Sequence, residues 1–287
     1  MSERGAALVE ALIVIATAGL VWAAAVAVIA DLPPLASAWE EAAATRQRAR
    51  VLESRVARVA AAAAPIGVDV DGARVQVPSV WPRRLGLFRP GAAGEVAADA
   101  VTMISRVDAL RAVTLASALA AGGGSVAFAT QSGCGSAADC RLRPGDLLLA
   151  ITRDGACGLF RLTAVTARLE VDAIVQAAAP VFEPGSVLLP VAISVFSFDA
   201  DERAIRRYDG YRSDNVLVDG IASAAFAVSP HAAATLGDGP LVGTGPLAYD
   251  LDQLSIQTVS LRVTFTSERN RASAPGAMLE WRVAPWR

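Results

Sequence analysis

Glu10 is the first side chain in this sequence that demands a partner. It lies inside RGAALVEALIVIATAGLVWAAAVAVIA, residues 4–30, and no other charged residue occurs between positions 6 and 30. Lodged in hydrocarbon, an acid costs about 2.5–3.5 kcal/mol on insertion scales, so one placed there implies a specific positive partner. Three cysteines follow, Cys134, Cys140 and Cys157. CGSAADC separates the first two by small residues and one acid, so Cys134 and Cys140 could close a loop without strain in an oxidising compartment. The odd count leaves one thiol, and Cys157 could replace either partner. Without a nearby His or matched spacing the three do not make a tetrahedral metal set. A catalytic thiol would need a base, and the one histidine, His231, lies in a Gly- and Pro-rich stretch.

The remaining polar clusters are weaker. FDADER, residues 198–203, gathers Asp199, Asp201 and Glu202. Oxygen-rich loops can bind calcium, but a hairpin turn accepts Asp for its own hydrogen bonding, and the turn is the preferred reading. Asp250 and Asp252 read as ordinary loop acids. AAGGGSVAFA, residues 120–129, lacks the lysine and following helix of a phosphate-binding loop, and reads as a turn before a strand. No catalytic set, metal site or cofactor motif emerges. All 26 basic residues are arginine, and the net charge is −2. Neither that balance nor the arginine spacing gives the electrostatic footprint of a nucleic-acid binder.

The elements that position these residues begin with residues 6–30, about 25 positions and roughly 37 Å of helix, enough to cross a bilayer with some tilt. Arg4 precedes the run, while Asp31, Glu40 and Glu41 follow it. The positive-inside rule then places the N-terminus in the cytoplasm and the rest outside. The run is longer than the apolar region of a secretory signal, and Asp31-Leu32-Pro33-Pro34 follows it in place of a small-x-small cleavage site. Residues 31–64 read as an amphipathic helical continuation. Its stripe is Leu35, Trp39, Ala42, Ala49, Leu52, Val56, Val59 and Ala63, with Pro33-Pro34 predicting a bend at its start. Arg46, Arg48, Arg50, Arg55 and Arg58 fall mainly off that stripe, as a solvated face.

Residues 65–287 change to short strands broken by Gly, Pro and Asp. Strands are predicted at 73–77, 100–107, 112–118, 125–130, 146–152, 158–165, 186–198, 204–208, 216–218, 223–228, 255–266 and 278–283. Residues 78–99 and 230–246 read as loops, and 199–203 as a hairpin turn. A long helix followed by antiparallel strands is an α+β plan.

Gly5-Ala6-Ala7-Leu8-Val9-Glu10 resembles the processing signal of type IV pilins and pseudopilins: a short polar leader ending in Gly, then an apolar helix with Glu at its fifth position. Counted from Ala6, Glu10 is fifth. The resemblance implies a leader at residues 1–5, cut by a prepilin peptidase between Gly5 and Ala6, and methylation of the new amino terminus. It implies that Glu10 meets the amine of a neighbouring subunit during assembly. The family usually begins its mature chain with Phe, where this one has Ala6. The order GDLLLAITRDGACGLFRLTAV, RRYDGY, VLVDGIASAAFAV and LEWRVAPWR is similar to that of large minor pilins of the PilW kind, and J-type pseudopilins of type II secretion share much of it.

What the resemblance implies is a structural subunit, not an enzyme. It would carry the long helix packed on an antiparallel sheet and prime or cap a type IV filament. Its partners would be the prepilin peptidase, other minor and major pilin subunits, the inner-membrane assembly platform and the lipid bilayer, with no nucleic acid. Two alternatives stay open: a type II secretion pseudopilin, and a single-pass membrane-anchored periplasmic enzyme or binding protein.

Overall fold

A computed structural model describes residues 3–82, 99–107, 111–129, 139–174, 181–209, 213–230, 241–242, 247, 249–250, 254, 256–266 and 277–282. The chain divides into two compact units, Met1–Ala49 and Arg50–Arg287. Together they are α+β, an N-terminal helix and a domain of antiparallel strands.

Helix α1 (Glu3–Ala62) is a single element of 60 residues and accounts for all the described structure of the first unit. It continues through Pro33-Pro34 into the residues expected to extend it. Each proline removes the N–H that would bond the carbonyl four residues back, so Ile29 and Ala30 lose their helix donors. Both carbonyls lie at the end of the apolar run, beside Asp31.

In the second unit the last turns of α1 bury Leu52, Val56 and Ala60, and Ala63 just beyond the helix is buried as well. The buried stripe thus passes through Ala60, and the expected Val59 is only half-buried. Trp39, also expected on the stripe, is 70% exposed. Strands β1 (Ile66–Val70) and β2 (Ala73–Val77) form a hairpin. Its two turn residues, Asp71 and Gly72, both have positive φ, at 47° and 74°. That conformation matches the twist of the flanking strands.

The main sheet has eleven described strands. They are β3 (Val80–Trp81), β4 (Ala100–Arg106), β5 (Val113–Leu115), β6 (Gly123–Val126), β7 (Phe128–Ala129), β8 (Leu147–Ile151), β9 (Cys157–Val165), β10 (Leu169–Ala173), β11 (Val187–Asp199), β12 (Ala204–Tyr208) and β13 (Asp214–Val218). The principal order is β13-β12-β11-β8-β9-β10-β6. Strand β11 organises it, pairing with β8 through Val187–Val191 and with β12 through Val195–Asp199. It also pairs with β5 at Val187 and Leu188, and with β4 from Val191 to Ser197. Pro190 stands where that pairing passes from β5 to β4. Its carbonyl accepts from Val107 N–H at 3.1 Å. The N–H it lacks would point to the same edge, so the β8 ladder loses nothing.

Side chains of β8, β9 and β11 alternate between two cores. Leu147, Leu149, Ile151, Leu159 and Leu189 enter one; Leu148, Ala150, Phe160, Leu162 and Leu188 enter the other. Burial on both faces explains why LLLAI shows no polar alternation.

A second sheet orders β14 (Ile221–Pro230), β17 (Ile256–Phe265) and β18 (Ala277–Arg282), with β17 central. Between them β15 (Leu241–Val242) pairs with β16 (Tyr249–Asp250), so the loop expected at 230–246 contains a strand. The indole N–H of Trp281 donates to Glu53 O on α1 at 3.1 Å. The 200–203 turn is tied locally, because Asp199 Oδ1 accepts the N–H groups of Asp201 and Glu202, each at 3.1 Å. Arg206 pairs with Glu202 and, at 3.0 Å, with Asp214, joining that turn to β13.

Side-chain packing is close at Gly158. A Cβ there would lie 2.5 Å from Phe182 Cζ and 2.9 Å from the Phe160 ring, whereas one at Gly122 would meet nothing within 4 Å. The Phe160 and Phe182 rings are edge-to-face with centroids 5.5 Å apart, so neither can yield alone. Gly158→Ala is expected to destabilise the protein by about 1–3 kcal/mol. Gly122→Ala should stay within about 0.5 kcal/mol of the wild type. Denaturant midpoints of the two variants check this, and equal midpoints would refute it.

Candidate functional site

The helical stretch Glu10–Ala27 has a mean hydropathy of 2.0, and none of it is buried. At about 100° per residue, four consecutive positions sweep the whole circumference of a helix. Leu12, Ile13, Val14 and Ile15 are all exposed, as are Leu20, Val21 and Trp22, the last by 71%. A helix covering a soluble core would show one apolar stripe; this one is apolar all round. It is long and apolar enough to cross a membrane. Thr17 satisfies itself, its hydroxyl lying 2.9 Å from Ile13 O and 3.0 Å from Val14 O.

Glu10 interrupts this surface. Its side chain is exposed, and it has no ion pair or hydrogen bond among the described residues. Gly5 and Ala6 lie in the same helix, which places Ala6 one turn before Glu10. The stretch Glu10–Ala27 therefore carries a single carboxylate, Glu10, at the start of an otherwise uncharged apolar surface.

Among the described residues, the others singled out from the sequence do not assemble into a reactive centre. Cys140 is buried and disulfide-bonded, whereas Cys157 is a free, buried thiol. Cys157 Sγ lies 3.6 Å from Leu247 O. Burial pushes its pKa up from 9.0 to about 12, so the thiol stays protonated and is a poor nucleophile. Cys134, His231 and Asp252 lie outside the described residues, and Asp250 belongs to β16. Asp199 is engaged by backbone N–H groups in its turn. No group of three or more His, Cys, Asp or Glu among the described residues could hold a metal ion.

Two features went unread in the sequence. Tyr249 joins three distant segments: its Oη lies 2.9 Å from Gln76 O and 3.2 Å from Gly155 O, and Trp81 meets its ring edge-on at 5.7 Å. Desolvation by burial, with smaller contributions from Cys157 and Asp154, raises the pKa of this phenol. The second feature is a cleft of about 610 Å³ formed at three turns. The only local signals for it were the turn pairs Asp71-Gly72, Asp154-Gly155 and Pro184-Gly185. No family model, curated protein or solved structure matches the chain.

The state of Cys157 is open to a direct check. Above its unfolded pKa of 9.0 the unfolded chain loses the thiol proton while the folded chain keeps it up to about 12. Stability conferred by the buried thiol is thus complete below pH 9 and is lost as pH rises toward 12. The unfolding free energy should fall by up to about 1.4 kcal/mol per pH unit from this group. Cys157→Ala should show a correspondingly shallower decline in urea titrations across that window. At pH 8 a thiol reagent should label Cys157 only after denaturation, as read by peptide mass; rapid labelling of the folded chain would contradict its burial.

Proposed function

We propose that this chain is a minor subunit of a type IV pilus or a related filament, with a structural and not an enzymatic role. A prepilin peptidase cuts between Gly5 and Ala6, and Ala6 carries the new, methylated amino terminus. Residues 6–30 hold the subunit in the bacterial inner membrane, with the N-terminus cytoplasmic and the β-rich domain periplasmic, until the assembly platform moves it into the filament.

One observation carries this reading: Glu10, one turn beyond Ala6, is a carboxylate without a partner among the described residues, at the start of a helical stretch that is apolar all round. Cleavage leaves an ammonium at the start of that helix. In an assembled filament the carboxylate of one subunit meets the ammonium of its neighbour, joining two charges that would each be costly alone in hydrocarbon. The bulk of the second unit suits a priming or tip position, since it would crowd a regular shaft of closely packed helices. Contacts are then with other minor and major subunits. A J-type pseudopilin of type II secretion would use the same chemistry and differ in the companions it recruits.

Glu10→Gln should leave membrane levels of the full chain unchanged and reduce its recovery in sheared filaments at least about tenfold, the scale set by leaving one charge of a buried pair unmatched. Undiminished recovery would overturn the proposal. Mass spectrometry of the mature protein should find methylated Ala6. An intact Met1, or a cut near residue 30, would instead favour a membrane-anchored periplasmic enzyme or binding protein.

A further inference from the structure

Three turns from distant parts of the second unit line one cleft. The first is the Asp71-Gly72 tip of the β1–β2 hairpin. The second, at 152–155, closes with Gly155 N–H on Thr152 O at 3.1 Å. The third, at 183–186, closes with Ser186 N–H on Glu183 O at 3.1 Å. Pro184 presets φ in this last turn and Gly185 takes φ 95°, the pattern of a type II turn. The cleft between them measures about 610 Å³.

Its charge is unbalanced. Asp71, Asp154 and Glu183 contribute three carboxylates against the single guanidinium of Arg153. Arg153 sits 3.7 Å from Asp71, with both side chains 70% exposed, so that pair is loose. Asp154 accepts a hydrogen bond from the Thr152 hydroxyl. Glu183 has no side-chain partner among the described residues.

A second observation is independent of the acids. Ser186 lines the cleft and is only 4% exposed, and its hydroxyl has no hydrogen-bond partner among the described residues. A hydroxyl withdrawn from water without a partner is costly unless something entering the cleft meets it. Val70, Val181 and Pro184 supply apolar wall beside these polar groups.

We propose that this cleft binds a basic side chain, arginine or lysine, presented by a partner polypeptide. The aliphatic stem lies on Val70, Val181 and Pro184, the cationic head stands among Glu183 and Asp154, and one N–H reaches Ser186 Oγ. A bare metal ion is the poorer fit, because no three carboxylates among the described residues are grouped to hold one. The site belongs to the second unit and does not depend on the filament reading.

Calorimetric titration of the full chain in a nonionic detergent tests this, using an acetylated tri-arginine amide as probe and the tri-citrulline peptide as its uncharged counterpart. The arginine peptide should bind saturably and lose affinity as salt rises. The citrulline peptide should bind at least about fivefold more weakly, the scale of two or three partly exposed ion pairs. Glu183→Gln, a change at an exposed position, and Ser186→Ala, a near-isosteric change, should each weaken arginine binding about threefold while leaving the unfolding midpoint within a few degrees. Absence of saturation in the wild type, equal binding of the two peptides, or wild-type affinity in both variants would overturn the proposal.

Discussion

Strand β11 is the constraint on which the second unit rests. Its two edges are occupied in turn by β8 and β12 and by β5 and β4, and its faces feed two separate cores. Ten of its thirteen residues are buried and only Ala192 is exposed, so nearly every residue must be apolar or internally satisfied. VLLPVAISVFSFD obeys this. Its early residues are aliphatic, and Ser194 is engaged by the Arg207 guanidinium at 3.0 and 3.2 Å. Pro190 is tolerated because one edge has a gap in its ladder at that point. The sheet is consequently assembled from pairings far apart in sequence, and β11 gives them a common register.

That dependence decides what could be read from the sequence. Strands with long β-branched or aliphatic runs, such as β4, β8, β9, β11 and β17, announce themselves wherever they sit. β2 and β12, at 73–77 and 204–208, coincide with their expected bounds because Gly or Asp turns delimit them. β1 (IGVDV) and β10 (LEVDA) went unread because Gly, Asp and Glu are poor strand formers. β10 exists because β9 and β6 pair with both of its edges. The two-residue strands β3, β15 and β16 carry no local signal at all.

The same limit governs the sites. Glu10 is legible because one charge in a long apolar run needs no tertiary knowledge to stand out. The cleft is not, since Asp71, Asp154 and Ser186 become neighbours only after three distant turns are brought together. On α1, the difference between Val59 and Ala60 is 100° of rotation, and an alanine-rich segment cannot say which of two adjacent small residues faces inward. The helical continuation past Pro33-Pro34 was legible for a different reason. A proline removes one hydrogen bond, and at the margin of an apolar run that loss does not end the helix.

The two units solve the problem of apolar surface in opposite ways. The second buries its Leu, Val and Phe within itself, while the stretch Glu10–Ala27 buries none of its own. Such a rod persists only where lipid or other helices cover it. Both coverings are nearly uniform along the rod, so apolar contact alone distinguishes poorly between one axial position of a neighbouring helix and the next. A carboxylate near its end breaks that degeneracy. In a low-dielectric setting an ion pair returns little more than its desolvation cost, and an apolar residue would pack as well or better. Its value in the proposed filament is position: sliding a neighbour by one helical turn, about 5.4 Å, would separate acid from amine and leave both charges stranded. In the proposed filament, Glu10 therefore sets where the next subunit stops rather than how tightly it holds.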